Sequence, residues 1–151
     1  MPEITSSYVL AAPAEAVWRL LADFAAIQAW WPTSGPVQIG QVEVEGQGVG
    51  MIRHVYNKGM AHPVSERLDL LDPATRTLVL SIIGQRPPGI TAYVATGRLT
   101  EIDAASCRLD YRALLTTDEG REVRVRDAVL KTWSIMVQGL ENGAGRPAGR
   151  P

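Results

Sequence analysis

Between residues 37 and 117 the chain runs through six successive strand patterns, and a single long amphipathic segment follows them. That order constrains the fold more tightly than any other feature. The strand patterns are Val37–Glu45, Val49–Tyr56, Val64–Leu71, Thr77–Ile83, Ile90–Ile102 and Ser106–Thr117. Between them lie Gly46-Gln47-Gly48, Asn57-Lys58-Gly59, Asp72-Pro73, Arg86-Pro87-Pro88-Gly89 and Asp103-Ala104, all turn chemistry. Parallel strands need crossovers of a dozen or more residues, so these connections predict an antiparallel meander. Val42 and Val44 fall out of step with Val37 and Ile39, which predicts a register change near Gly40.

A sheet this wide must bury one face, and only one element is long enough to cover it. From about Glu122 to Asn142, Val125, Val129, Trp133, Met136 and Leu140 recur at helical spacing, and Gly143 ends the run. Gly139 is expected to weaken this helix by about 1 kcal/mol relative to alanine. Ahead of the meander, Ile4–Leu10 reads as a first strand. Pro13 then opens a helix carrying Val17, Trp18, Leu20, Leu21 and Phe24, and a second short helix covers Ala25–Trp30 before Pro32. The expected class is therefore α+β. A seven-stranded curved antiparallel sheet wraps around a long C-terminal helix, with two short helices after the first strand.

At 151 residues and 46% hydrophobic content, one domain with a real core is expected over residues 1–143. The Gly/Pro/Arg-rich tail, 144–151, is expected to be disordered. A net charge of −1 offers no electrostatic reason to bind nucleic acid or an anionic membrane. The single Cys107 excludes an internal disulfide, and with only His54 and His62 no metal site is expected. No secretory or transmembrane pattern is visible, so the expectation is a cytoplasmic protein, monomer or homodimer.

The opening Ala12-Pro13-Ala14-Glu15-Ala16-Val17-Trp18, followed by Trp30-Trp31-Pro32, together with this order of elements, resembles the START/Bet v 1-like (SRPBCC) superfamily of polyketide cyclase/dehydratase type. The resemblance covers nearly the whole chain and implies the helix-grip fold. A narrower likeness lies between Gly59 and Tyr93. Lys58-Gly59-Met60-Ala61, Glu66-Arg67-Leu68-Asp69 and Ser81-Ile82-Ile83-Gly84 are similar to the gate loop, pocket strand and latch of the plant abscisic-acid receptors. Tyr93 stands where that family has a pocket tyrosine, and Asp127, Val129 and Lys131 match its last helix. The departures are specific. Met60-Ala61 replaces Leu-Pro, Arg86-Pro87-Pro88 replaces His-Arg-Leu, and residues 33–37 hold no counterpart of the pocket lysine. Hormone reception is not expected. The likeness implies a pocket with two loops over its mouth.

Within that pocket Glu66 is the first residue to consider. Strand period two groups it with Val64, Leu68 and Leu70, leaving Ser65, Arg67 and Asp69 for solvent. A carboxylate on an apolar face is either a structural device bonded to an internal tyrosine or water, or a general acid or base with a pKa raised by desolvation. On the third strand, placing Arg53 in water turns His54 and Tyr56 into the cavity, where His54 would pair with Glu66. The same parity puts Tyr93, Ala95, Gly97 and Leu99 inward, and also Leu109, Tyr111 and Ala113.

The expected catalytic residues are Glu66, His54 and Tyr93. The expected substrate-binding residues are Tyr56, Tyr111, Met60, Leu80, Ile82, Pro88, Val129 and Trp133. Polar points in an aromatic shell suit an oxygenated, ring-forming hydrophobic small molecule. With the resemblance, this implies a cyclase/dehydratase-type enzyme needing no cofactor. The alternative is a non-catalytic protein that binds, transports or senses a lipid or other apolar molecule.

Overall fold

The computed structural model describes residues 2–145. Its elements, in chain order, are β1 (Glu3–Leu10), α1 (Ala14–Ala22), a 3₁₀ segment (Phe24–Ala29), β2 (Ile39–Glu45), β3 (Ile52–Asn57), β4 (Val64–Asp72), β5 (Thr77–Ile83), β6 (Ile90–Asp103), β7 (Ser106–Thr117) and α2 (Glu122–Ala144). The seven strands form one antiparallel sheet in the order β1-β7-β6-β5-β4-β3-β2. Sequential hairpins build the meander, and β1 closes the far edge against β7. This is the helix-grip architecture expected from the sequence.

Bulges bend the sheet. Register shifts fall between Ile39 and Gln41, Leu68 and Leu70, Ile90 and Ala92, and Glu101 and Asp103. Each adds an unopposed residue that sharpens the local twist, so the sheet curls instead of lying flat. The bulge in β4 also changes which side chains point inward. Leu68 is buried whereas Leu70 is exposed, correcting the expectation that Leu70 shares the inner face.

Helix α2 lies along the concave face and buries Val125, Val129, Trp133, Met136 and Leu140, as the spacing predicts. It runs one residue past Gly143, to Ala144. Gly139 has a role that helix propensity does not reveal: a Cβ there would stand 2.5 Å from the Trp30 carbonyl oxygen and 2.8 Å from Pro32 Cδ. Its absence lets the segment after the 3₁₀ turn press against the helix. Gly97 similarly leaves room for the Tyr111 ring, whose Cε1 would lie 2.8 Å from a Cβ at that position. The tail expected to be disordered lies outside the described residues from 146 onward.

Candidate functional site

Sheet and helix do not meet everywhere. Between them remains a cavity of about 370 Å³, within the range of small-molecule sites. Its wall is largely apolar: Leu78, Leu80 and Ile82 from β5, and Val129 and Met136 from α2. Met60, from the loop between β3 and β4, and Pro87 and Pro88, from the loop between β5 and β6, also line it. These are the two loops that the sequence likens to a gate and a latch.

Among the described residues, the only charged side chains lining the cavity are Arg53 and Glu66. They face each other on paired strands, Arg53 of β3 directly opposite Glu66 of β4. Arg53 Nε donates to Glu66 Oε1 at 3.0 Å, and Arg53 Nη1 donates to the Phe24 carbonyl at 3.0 Å. The guanidinium carbon lies 3.8 Å from the Phe24 ring centroid, a cation–π arrangement. Arg53 is only 7% exposed, and the Glu66 side chain 17%. Such a buried charge is tolerable because it is paired and hydrogen-bonded.

This geometry reverses the parity expected for β3. Arg53 and Val55 face the cavity with Met51 buried behind them, and His54 and Tyr56 face away. On the outer face His54 Nδ1 shares a 2.6 Å hydrogen bond with Ser65 Oγ, and His54 Nε2 lies 3.2 Å from Glu45 Oε2. The Tyr56 hydroxyl donates to Glu43 Oε2 at 3.2 Å. His54, Tyr56 and Ser65 border a separate outer depression with His62. His54 therefore cannot pair with Glu66, and Tyr56 cannot touch a ligand in the cavity. The expectation failed because it sent an arginine to solvent by default. The missed signal was Glu66 itself: a carboxylate on an inner face needs a cation, and Arg53 stands directly opposite it on the neighbouring strand.

The other expected residues converge. Tyr93 of β6, Tyr111 of β7 and Trp133 of α2 meet at the cavity wall. Trp133 Nε1 donates to the Tyr93 hydroxyl at 3.1 Å, and the Tyr111 and Trp133 rings pack edge to face with centroids 4.8 Å apart. Burial pushes the Tyr93 hydroxyl well above the ordinary phenol range; the bond from Trp133 lowers it and Glu66 raises it further. Burial pushes Tyr111 up in the same way, reinforced by Tyr93 and Glu66 and opposed by Arg53. Both are therefore neutral phenols over the working pH range, able to donate a proton to a ligand oxygen. Glu66, Tyr93, Tyr111, Met60, Leu80, Ile82, Pro88, Val129 and Trp133 all line the cavity.

Sequence reasoning missed Arg53, and also Phe24, whose carbonyl and ring hold it. Trp30 and Trp31 form part of the wall. Trp31 Nε1 donates to the Val37 carbonyl at 2.9 Å, whereas buried Trp30 Nε1 has no partner among the described residues.

The sequence model of the family described as polyketide cyclase/dehydrase and lipid transport matches residues 1–142. No curated protein matches the chain in sequence. Among solved structures, a protein from Thermobifida fusca superposes with a TM-score of 0.80 at 25% identity, covering 97% of this chain and 95% of its own. The Zhui aromatase/cyclase from Streptomyces sp. R1128 gives 0.76 at 22% identity, covering 99% of each chain. Truncated norcoclaurine synthase from Thalictrum flavum gives 0.76 at 18%, covering 97% and 94%. The likeness to the latter two is one of fold.

Proposed function

This chain belongs to the polyketide cyclase/dehydrase and lipid transport family, and we propose that it is a cofactor-independent cyclase/dehydratase-type enzyme acting on a hydrophobic, ring-forming molecule. The coarser statement, that it is a hydrophobic-ligand-binding protein of the SRPBCC type, follows from the family. The observation that carries the finer reading is that Glu66, Tyr93 and Tyr111 line one largely apolar, ring-sized cavity together with Arg53.

The chemistry suited to those groups is an aldol condensation with loss of water. Glu66 Oε1 is engaged by Arg53, leaving Oε2 to take a proton from the carbon beside a ligand carbonyl. The Tyr93 and Tyr111 hydroxyls donate to that carbonyl oxygen as charge builds on it in the enolate. The enolate carbon attacks a second carbonyl of the same folded molecule and closes the ring. Glu66 returns its proton to the new alkoxide, giving a hydroxyl. It then takes the second proton from the same carbon and delivers it to that hydroxyl, which leaves as water as the C=C bond forms, so the carboxylate is regenerated. The cavity supplies orientation, and its apolar wall excludes bulk water.

A second reading is a carrier or sensor without turnover. It is favoured by the pairing of Glu66 with Arg53, which satisfies part of the carboxylate inside the protein. One experiment separates the two. A naphthyl 1,5-diketone, which cyclises to a cyclohexenone and water, is incubated with the protein and followed by liquid chromatography and mass spectrometry. The enzyme reading expects accelerated cyclisation, lowered on the order of 100-fold or more in Glu66→Gln with diketone affinity nearly unchanged. Binding without acceleration supports the carrier. A Glu66→Gln protein with the full wild-type rate would refute the proposed proton transfer.

A further inference from the structure

We infer that the Arg53–Glu66 pair makes the cavity selective for neutral ligands that accept hydrogen bonds, and that Glu66 is the residue excluding carboxylates. This rests on the ligand-binding reading above and specifies the chemical class that the site takes.

The selectivity follows from charge balance. Among the described residues Arg53 and Glu66 are the only ionic groups on the cavity wall, and they neutralise each other at 3.0 Å. The guanidinium is further committed to the Phe24 carbonyl and the Phe24 ring. A ligand carboxylate entering this space finds no free cation. To approach Arg53 it must lie beside Glu66, and two carboxylates sharing a desolvated site disfavour each other's charge. A ligand ammonium meets the converse obstacle in Arg53. A ketone or ether oxygen brings no charge and meets donors already in place. The Tyr93 hydroxyl receives its bond from Trp133, so its own proton is available, and Tyr111 lies on the same wall. Specificity thus comes from a repulsive element as much as from an attractive one.

The idea predicts what single charge deletions do. Glu66→Gln keeps the shape and leaves Arg53 uncompensated, so it turns an anion-excluding cavity into an anion-binding one. Arg53→Gln leaves Glu66 uncompensated and favours an ammonium. The double variant restores neutrality and with it the preference for neutral ligands.

Three probes of nearly one shape test this: 2-acetonaphthone, 2-naphthoate and 2-naphthylmethylammonium, titrated at pH 7 by isothermal calorimetry. The wild type is expected to bind the ketone at least tenfold more tightly than either ion. In Glu66→Gln the ketone-to-naphthoate ratio should fall at least tenfold, and in the double variant it should return towards the wild-type value. Wild-type protein binding naphthoate as tightly as the ketone would overturn the inference while leaving the cavity reading intact, as would an unchanged ratio in folded Glu66→Gln. If no probe binds the wild type, the ligand-binding reading fails and this inference with it. Because the wild-type ratio alone can contradict the claim, a variant that does not fold leaves it falsifiable.

Discussion

At the scale of single residues, Arg53 organises the site. It joins β3 to β4 through Glu66, and the sheet to the 3₁₀ segment through Phe24. Removing one partner of a buried pair strands the other, so Arg53→Met should destabilise the fold by about 3 kcal/mol. Adding Glu66→Leu to it should recover most of that loss, because two apolar residues need no compensation. Urea unfolding of the single and double variants measures both effects. The buried tyrosines make a second prediction. Their hydroxyls titrate above the ordinary phenol value in the folded protein, so beyond about pH 10 the unfolded chain releases protons that the native state retains. Stability is then full below pH 10 and falls as pH rises past it. The urea midpoint should be level between pH 7 and 9 and decline above 10, more gently in Tyr93→Phe.

At the scale of elements, α2 is shaped by what it touches as much as by its own helix preference. Alanine is the better helix former, yet Gly139→Ala should lower stability by about 1–3 kcal/mol, since its Cβ would strike the Trp30 carbonyl and Pro32. Thermal unfolding followed by circular dichroism reads this directly, and a rise in Tm would show that the segment yields. The same contrast explains what was legible in the chain. Every strand and helix could be placed because periodicity and turn residues are local signals, and the inner faces of β5, β6 and β7 followed from their alternation. Strand β3 failed because its pattern, Met51, Arg53, Val55 against Ile52, His54, Tyr56, is balanced between faces. Only the partner strand decides it, through Glu66, thirteen residues further on. Leu70 failed for a related reason: a bulge is a property of two paired strands and leaves little trace in one. Gly139 read as a weak point because its reason lies a hundred residues away, at Trp30.

At the scale of the whole molecule, the fold is a curved sheet held open by a helix that covers it incompletely, and the uncovered space is the site. Glu66, Tyr93, Tyr111 and Trp133 come from four different elements, and only the closed grip brings them around one cavity. A ligand that fills this space binds the native state alone, so a neutral aromatic ketone at 100 times its Kd should add about 2.7 kcal/mol to the unfolding free energy. Two-dimensional NMR during titration with 2-acetonaphthone tests the central claim most directly, because it reports where the ligand sits. The account predicts that the Trp133 indole N–H and the Arg53 Nε–H resonances move together and saturably, while the rings of His54 and Tyr56 on the outer face stay in place. Shifts that gather on His54, Tyr56 and His62 and leave Trp133 unmoved would contradict it.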